Sequence, residues 1–566
     1  MKTSSLLPFL ACALAAPAVN AYTHNQAADE MSYVPAGDLS AVAENFLGKK
    51  RVAWRGERVL VRVKTTLPEN AEISAGLSVV SGMKTLKSRA RAEYVRSTLG
   101  QGGKPIADIV EPESEVAIRT AAGKIVTTIK PAASPFKIPA GEAVILVSAD
   151  IAPDENPGTL ALSLSVNGKH QTIAEIEVLP AALPPPQDWK IHLDLWQHPE
   201  AVARWTGTKL WSREHFAAMK PLMKRLADAG QKAVTCSIIE EPWDHQTRDH
   251  WSSMVQWRKT KSGEWEFDYT AFDKYVDFMM NEVGIREQIS CYTMVSWSLK
   301  TTYFDEASGT TKTISLDPKS PDYDATWKAF LTNFRAHLKK RGLLEKTCIA
   351  LDERPDHLVN AARGVVEKYA PELKIVSAVD RPTKMAHFVY DISAVFQHSA
   401  GLTELADSRR KQNRKTTCYV CTNPAKPNTF PHSAPAEPHW LLLYTSANRF
   451  DGFLRWAYNS WVDNPFADCR WPKRYWPAGD CFLVYPGNRT TLRFETLRDG
   501  IEDFEKIRLL RDASRRANAS DALKSAVADL ENYLTTTFTV EAGFGTAHSE
   551  QVRNARKLID NASRRL

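Results

Sequence analysis

The stretch 320-SPDYDATWKAFLTNFRAHLKKRGLLEKTCIALDE-353 contains the pattern that decides the fold. Ser320 and Pro321 are typical of a helix start, and Gly342 is typical of a helix end. Between them large apolar side chains recur every three or four residues, which predicts an amphipathic helix. A short apolar run at residues 347–351 follows. A helix that leads directly into a buried strand predicts one unit of a parallel α/β sheet.

The same alternation of helix and strand continues on both sides of this unit. Short β runs occur at residues 189–195, 233–239, 288–295, 347–351, 374–379, 391–396, 416–420 and 452–458. Eight such runs with helices between them favour a closed (β/α)8 barrel over an open doubly wound sheet. No glycine-rich phosphate-binding pattern follows any run, which argues against a nucleotide site.

The N-terminal part of the chain has a different period. Between residues 40 and 180 apolar and polar residues alternate, as at Val61 and Val63 with Arg62 and Lys64. Period-two alternation predicts half-buried strands. Asn167 and Gly168 are the residues preferred in a tight hairpin turn. We therefore expect an antiparallel β-sandwich in this region.

A proline-rich segment separates the two patterns, because its prolines can neither pair in a sheet nor continue a helix. Beyond the barrel, leucines and valines at helical spacing predict a helical tail. The expected order is a signal peptide at residues 1–21, a β-sandwich at 22–180, a linker at 181–188, a (β/α)8 barrel at 189–510 and a helical segment at 511–566.

The first 21 residues have the features of a secretory signal peptide. Lys2 precedes an apolar run, and the small residues Val19 and Ala21 mark a cleavage site. We therefore expect a periplasmic or secreted protein. The three residues before Cys12 match a lipobox poorly, which disfavours lipoprotein anchoring. No later stretch approaches the 18 apolar residues that a membrane span requires.

The charge balance argues against a nucleic-acid partner. The chain has 73 Lys and Arg against 66 Asp and Glu, a formal charge of +7. Its basic stretches lack interleaved aromatic residues, so they are expected to be solvated surface.

The cysteines do not predict a disulfide framework. Cleavage after Ala21 would remove one of 8 cysteines and leave an odd number. Most thiols are expected to be free, although Cys469 and Cys481 could pair. Cys418 and Cys421 have CxxC spacing, but no second pair completes a zinc site. We find no set of ligands at metal-binding spacing and expect neither a metal nor a cofactor.

Asp352 and Glu353 come directly after the fourth β run, where catalytic groups lie in (β/α)8 barrels. Adjacent carboxylates raise the cost of ionising one another. A glutamic acid kept protonated can therefore donate to a leaving glycosidic oxygen while its neighbour stays charged. The alternative is structural: Asp352 caps a helix and an exposed Glu353 pairs with Arg354.

Other run ends carry side chains suited to sugars, whose apolar ring faces pack on aromatic planes and whose hydroxyls seek polar partners. Each could equally be a core residue, but together they predict a sugar site at one end of the barrel. The candidates for substrate binding are Trp297, His398, Asn423, Trp456, Tyr458, Asn459 and Trp461.

Three further stretches carry a resemblance to a known family: 452-GFLRWAYNSW-461, 479-GDCFLVYPG-487 and 497-LRDGIED-503. At these residues the chain resembles glycoside hydrolase family 123, β-N-acetylgalactosaminidases built from an N-terminal β-sandwich and a C-terminal (β/α)8 barrel. Asp352 and Glu353 match the catalytic Asp-Glu pair of that family.

The resemblance implies release of terminal β-linked N-acetylgalactosamine from an oligosaccharide, glycolipid or glycoprotein by retaining, substrate-assisted catalysis. Asp352 would orient the substrate's own 2-acetamido group, whose oxygen attacks the anomeric carbon. Glu353 would protonate the leaving oxygen and then activate water. Trp297, Trp456 and Tyr458 would enclose the acetamido group or stack on the ring.

Two other functions remain open at this point. A barrel glycosidase of another specificity, such as a β-N-acetylglucosaminidase, differs by the one or two hydrogen bonds that read O4. A catalytically inactive glycan-binding protein would keep the aromatic residues but could lose the acid pair. The intact Asp352 and Glu353 argue against that second alternative.

Overall fold

The computed structural model of the chain describes residues 34–35, 49–67, 71–83, 85–111, 116–121, 124–129, 136–138, 140–472 and 476–566. The signal peptide expected at residues 1–21 lies outside them. In the described part of the chain, no helix has both the length and the apolar composition to cross a membrane.

The N-terminal region is built from β-strands. They are β1 (Val34–Pro35), β2 (Lys50–Arg55), β3 (Arg58–Leu67), β4 (Ala71–Ser81), β5 (Arg89–Leu99), β6 (Pro105–Val110), β7 (Val116–Ala121), β8 (Lys124–Ile129), β9 (Phe136–Ile138), β10 (Gly141–Asp150), β11 (Gly158–Val166) and β12 (Lys169–Ala182). One sheet has the order β2-β12-β11-β4-β9, and β1-β3-β10-β5-β6 belong to a second. Strands β7 and β8 form a separate hairpin.

The alternation in the sequence fixes which faces of these sheets meet. Val59, Val61 and Val63 of β3 are buried in the core together with residues of β11 and β12. Asn167 (φ 50°) and Gly168 (φ 79°) have left-handed backbones and join β11 to β12 as a tight hairpin. The β-rich N-terminal region and this turn are confirmed.

The strands that follow are β13 (His192–Leu195), β14 (Ala233–Ser237), β15 (Gln256–Lys259), β16 (Trp265–Asp268), β17 (Gln288–Tyr292), β18 (Lys300–Asp305), β19 (Thr310–Ser315), β20 (Thr347–Leu351), β21 (Lys374–Val379), β22 (Asp391–Val395), β23 (Lys415–Tyr419), β24 (Gly452–Arg455) and β25 (Thr490–Thr491). Eight of them form a parallel sheet in the order β13-β24-β23-β22-β21-β20-β17-β14. Lys232 N–H donates to the Leu193 carbonyl across the seam, 2.9 Å apart, and closes the barrel.

The helices are α1 (Pro199–Thr206), α2 (Arg213–Ala227), α3 (Thr270–Asp277), α4 (Tyr323–Arg341), α5 (Asp356–Tyr369), α6 (Thr403–Lys411), α7 (Glu437–Ala447), α8 (Leu492–Ser514), α9 (Asp521–Thr537), α10 (Val540–Gly543) and α11 (His548–Ser563). Ser212 caps α2 by accepting a hydrogen bond from His215 N–H. Gly342, with φ of 68°, ends α4 in the left-handed conformation. The (β/α)8 barrel and the helical tail are confirmed.

The structure adds features that the sequence pattern did not predict. Strands β15, β16, β18 and β19 form a small sheet inserted beside the barrel. Strand β25 pairs with β6 and so joins the second N-terminal sheet. Helix α8, which follows β25, spans the boundary expected at residue 510. The last barrel helix is therefore attached directly to the N-terminal sheets.

The seven cysteines in the described residues are all free, and only Cys421 among them is not fully buried. Cys469 and Cys481 therefore do not form a disulfide in the structure. Small buried thiols behave as apolar packing residues.

Buried charges join the sandwich to α8 and α11. Glu57 accepts from Lys506 at 2.9 Å and from Arg556 at 3.0 Å. Asp503 accepts from Arg556 at 2.6 Å and forms a 2.8 Å hydrogen bond with His439. We call these five residues the interface network. Each charge has a partner of opposite sign, which is the condition for burying it without a large cost.

Candidate active site

Asp352 and Glu353 lie at the carboxyl end of β20, immediately after its last residue, Leu351. Both residues are partly exposed, while every residue of β20 is buried. The carboxyl ends of the strands form the catalytic face of a (β/α)8 barrel. The strand therefore holds the pair rigidly at the barrel mouth.

Asp352 is held by an indole and not by a salt bridge. Trp297 Nε1–H donates to Asp352 Oδ2 over 2.6 Å, and the Arg354 guanidinium lies 4.8 Å from the centroid of the Trp297 ring. Burial raises the pKa of Asp352 above its ordinary value, although Trp297 and Arg354 favour the charged form. Helix α5 begins only at Asp356, with Pro355 in the cap position, so Asp352 is not a helix cap.

Glu353 is held from the opposite side of the barrel by a tyrosine. The hydroxyl of Tyr419, the last residue of β23, donates to Glu353 Oε1. Burial raises the pKa of Tyr419 well above its ordinary value, and the neighbouring Glu353 raises it further. The phenol therefore keeps its proton and remains a hydrogen-bond donor to the carboxylate.

Four buried aromatic side chains line the barrel interior beside the pair. We call Trp196, Trp243, Trp251 and Tyr292 the aromatic wall. The Trp243 ring centroid lies 4.6 Å from that of Trp251 and 4.7 Å from that of Tyr292. Trp196 lies 4.8 Å from Tyr292. These contacts make a rigid apolar backing for the partly exposed Trp297 and Trp456, on which a sugar ring or a methyl group can pack.

Two of the sequence-predicted binding residues belong to this aromatic region. Trp297 and Trp456 both pack against the cluster that contains the aromatic wall. His398 instead donates through Nδ1 to the Asp380 carbonyl, 2.9 Å away. Asn423 is exposed, and its backbone carbonyl accepts from Cys421 N–H.

The remaining three candidates are buried and make hydrogen bonds within the protein. Tyr458 is fully buried, and its hydroxyl donates to the Leu222 carbonyl of α2 at 3.1 Å. The side-chain amide of Asn459 accepts a hydrogen bond from His198 N–H and donates one to the His198 carbonyl. Trp461 is buried and donates to the Val484 carbonyl at 2.7 Å.

The physical reason is where β24 stops. The prediction carried the strand to residue 458, which would turn Trp456 and Tyr458 to the same face. The observed strand ends at Arg455. Beyond that residue the alternation no longer applies, and Tyr458 turns towards α2.

In a comparison with protein families, residues 196–510 fit the model described as the catalytic domain of glycoside hydrolase 123. The chain belongs to glycoside hydrolase family 123. As a member of that family it is a glycosidase, and its substrates are glycans. Among curated proteins, none matches this family 123 chain significantly.

The fold is shared with a solved structure described as a family 123 glycoside hydrolase from Clostridium perfringens, studied for the details of glycolipid glycan hydrolysis. The two chains are 24% identical, with 91% of this chain and 92% of that chain covered and a TM-score of 0.75. A Bacteroides ovatus GH5 xyloglucanase in complex with a XXXG heptasaccharide covers 81% of this chain and 99% of its own, at 10% identity and a TM-score of 0.32. That second similarity carries no argument about this chain.

Sequence reasoning about this family 123 chain missed Tyr419 and the aromatic wall. Tyr419 is the next-to-last residue of the run at 416–420. An aromatic residue near the carboxyl end of a barrel strand could have indicated a residue of the active site. Trp243 and Trp251 lie in a long loop after β14, where no periodicity indicates direction. The same loop brings Glu241 together with two histidines, a grouping of possible metal ligands that the sequence also did not predict.

Proposed function

We propose that this glycoside hydrolase is an exo-acting β-N-acetylgalactosaminidase that retains configuration and uses the substrate's acetamido group as nucleophile. The observation that carries the proposal is the arrangement of Asp352 and Glu353. Each carboxylate accepts from a fixed neutral donor, Trp297 for Asp352 and Tyr419 for Glu353. Both donors are uncharged, so neither neutralises the carboxylate that it bonds.

Asp352 has the properties needed to act on an acetamide. Its carboxylate can accept the N–H of the 2-acetamido group and turn the carbonyl oxygen towards the anomeric carbon. As that oxygen attacks, positive charge develops on the forming oxazolinium ring. A carboxylate that is only partly exposed and lies against aromatic rings stabilises such charge more strongly than it would in water.

Glu353 performs the proton transfers. Protonated, it donates to the glycosidic oxygen as the bond to the leaving group breaks; ionised, it then takes a proton from the water that opens the oxazolinium ring. This mechanism is one of the exceptions to the two-carboxylate scheme of retaining glycosidases. Tyr419 acts as a positioning residue that keeps Glu353 in one rotamer through both steps.

The natural substrate is proposed to be the glycan of a glycolipid, encountered outside the cytoplasm. The solved Clostridium perfringens structure was studied for glycolipid glycan hydrolysis, which supports this substrate class. Export follows from the signal-peptide pattern of residues 1–21.

A panel of aryl glycosides tests the specificity. The enzyme is assayed on the β-N-acetylgalactosaminide, the β-N-acetylglucosaminide, the β-galactoside and the α-N-acetylgalactosaminide that share one chromogenic leaving group. We expect the highest kcat/KM for the β-N-acetylgalactosaminide and no turnover of the β-galactoside, which lacks the acetamide. Faster hydrolysis of the β-N-acetylglucosaminide would show that the enzyme is a β-N-acetylglucosaminidase instead. Binding without turnover of any of the four substrates would indicate a glycan-binding protein.

A further inference from the structure

The loop that follows β14 brings three metal-ligand side chains together outside the carboxyl pair. The ligand atoms of Glu241, His245 and His250 all lie within 4.8 Å of one another. His250 Nδ1 is 2.7 Å from Glu241 Oε1, and His245 Nδ1 is 3.3 Å from the same oxygen. Two imidazole nitrogens and one carboxylate oxygen are a donor set that zinc prefers.

A second carboxylate fixes the orientation of one imidazole. Glu240 Oε1 is hydrogen-bonded to His250 Nε2, and Glu240 Oε2 accepts from Ser253 N–H at 2.8 Å. When His250 Nε2 carries the proton that it shares with Glu240, the neutral ring presents its Nδ1 lone pair to Glu241. A carboxylate behind a metal-binding histidine is the usual support of such a ligand.

Two states satisfy this geometry: a proton on His250 Nδ1 that is donated to Glu241 Oε1, or a metal ion bound by all three side chains. A nitrogen lone pair and a carboxylate oxygen 2.7 Å apart repel each other unless a positive charge lies against both. A second imidazole faces the same oxygen, so a single metal ion satisfies all three atoms at once. A proton on Nδ1 of His250 satisfies only two of them.

The loop backbone holds the three ligands in place before any ion arrives. Glu241, Asp244 and His245 have φ values of 46°, 49° and 61°, a left-handed conformation that is uncommon for residues other than glycine. Glu241 anchors the loop by accepting from Trp251 N–H at 2.9 Å. The side chains of His245 and His250 are 71% and 53% exposed, so an ion can reach them from solvent.

We propose that Glu241, His245 and His250 form a zinc site, with Glu240 as the carboxylate that orients His250. The zinc ligands have no role in the reaction proposed above, which uses Asp352 and Glu353. Its effect is to stabilise the loop after β14.

That loop is part of the wall of the active site. It supplies Trp243 and Trp251 to the aromatic wall. Its Pro242 carbonyl also accepts from the backbone N–H of Trp297, 3.1 Å away. An ion bound at the loop therefore stabilises the segment against which the Asp352 donor is packed.

Titration calorimetry of the full-length protein, prepared without a polyhistidine tag and stripped with chelator, tests the proposal with Zn²⁺ as the probe. We expect saturable 1:1 binding, a zinc-dependent rise in Tm, and no comparable binding of Ca²⁺ or Mg²⁺, which prefer oxygen ligands. His250→Ala should abolish binding, and Glu240→Gln should weaken it by about 10–100-fold, as for other groups that support a metal ligand.

His170→Ala provides the matched control, because His170 is an exposed histidine in the sandwich. Co²⁺ in place of zinc should give no thiolate charge-transfer band, which separates this site from the buried cysteines. Absence of saturable Zn²⁺ binding to the wild type overturns the proposal. So does a His250→Ala variant that remains folded and binds zinc as tightly as the His170→Ala variant.

Discussion

Acidic side chains have opposite properties at the barrel mouth and in the interface network. Burial alone raises the pKa of Asp503, but Arg556, His439 and Lys506 together outweigh it and hold that pKa well below its ordinary value. Burial also raises the pKa of Asp352, where an indole and a stacked guanidinium do not outweigh it. A carboxylate paired with a buried cation is therefore a fixed structural charge, whereas one held mainly by a neutral donor remains reactive.

The difference also bears on one of the three stretches that carry the family resemblance. The stretch at residues 497–503 lies within α8, and its last residue, Asp503, belongs to the interface network. A buried ionic network tolerates little change, because removing one partner leaves an uncompensated charge. A stretch that carries the family resemblance can therefore be structural, while the chemistry rests on two adjacent residues.

The largest expected effect is on the acid. Glu353→Gln should lower kcat/KM by about 10²–10⁴-fold on substrates with poor leaving groups, since they depend on proton donation. Activated aryl glycosides should lose less. Steady-state kinetics across a leaving-group series measures this, with Glu345→Gln as the control, an exposed glutamate just before β20. Equal losses of kcat/KM across the series would show that Glu353 is not the proton donor.

The second effect is on stability. Arg556→Ala leaves Glu57 and Asp503 buried with one cation fewer, so we expect a loss of about 3–5 kcal/mol in the free energy of unfolding. Arg564→Ala, at the C-cap of the same helix, removes an exposed pair with Glu177 and should cost less than about 1 kcal/mol. Urea unfolding measures both. Similar losses for the two variants would contradict the distinction between the regions.

The third effect separates Tyr419 from Tyr458. Tyr419→Phe removes a hydrogen bond to a carboxylate, which is typically worth about 1.5–3 kcal/mol, so kcat should fall by roughly 10–100-fold with KM little changed. Tyr458→Phe removes a hydroxyl that bonds only the Leu222 carbonyl among the described residues and should leave kcat unchanged. An equal fall in both variants would contradict the assignment of Tyr458 to packing.

The smallest effect is a shift in pH dependence. Asp352 must be ionised to act, so its raised pKa sets the acid limb of the kcat/KM profile above the range of an ordinary aspartate. Trp297→Phe removes a donor that favours the carboxylate, so the pKa of Asp352 rises further and the acid limb moves to higher pH. A limb that stays in place or moves to lower pH would show that Trp297 does not stabilise the charged form.

The sequence predicts the barrel well because its strands are buried on both sides. The run at residues 347–351 coincides with β20, and the run at 374–379 with β21. The inserted sheet was not predicted, because its strands are short and largely polar, as in the exposed β19. Their pairing depends on contacts that local pattern does not encode.

The site was predicted only in part, for a related reason. Asp352, Glu353 and Trp297 were predicted because each follows the end of a β run. Residues at that position in a (β/α)8 barrel lie at the barrel mouth. Tyr419 reaches Glu353 from a strand 66 residues further along the chain, so their contact depends on barrel closure. His398 and Asn423 lie at strand ends as well, and their loops direct them elsewhere or leave them in solvent.

The substrate-assisted mechanism requires that the substrate supplies its own nucleophile beside Asp352. It is tested most directly by comparing kcat/KM for aryl β-N-acetylgalactosaminides whose acetamide carries zero, one, two or three fluorines. Fluorine withdraws electron density from the attacking oxygen, so the account predicts a steep fall with each substitution and no covalent sugar on the protein by mass spectrometry. Equal rates across the series, or a sugar trapped on an aspartate or glutamate, would contradict it.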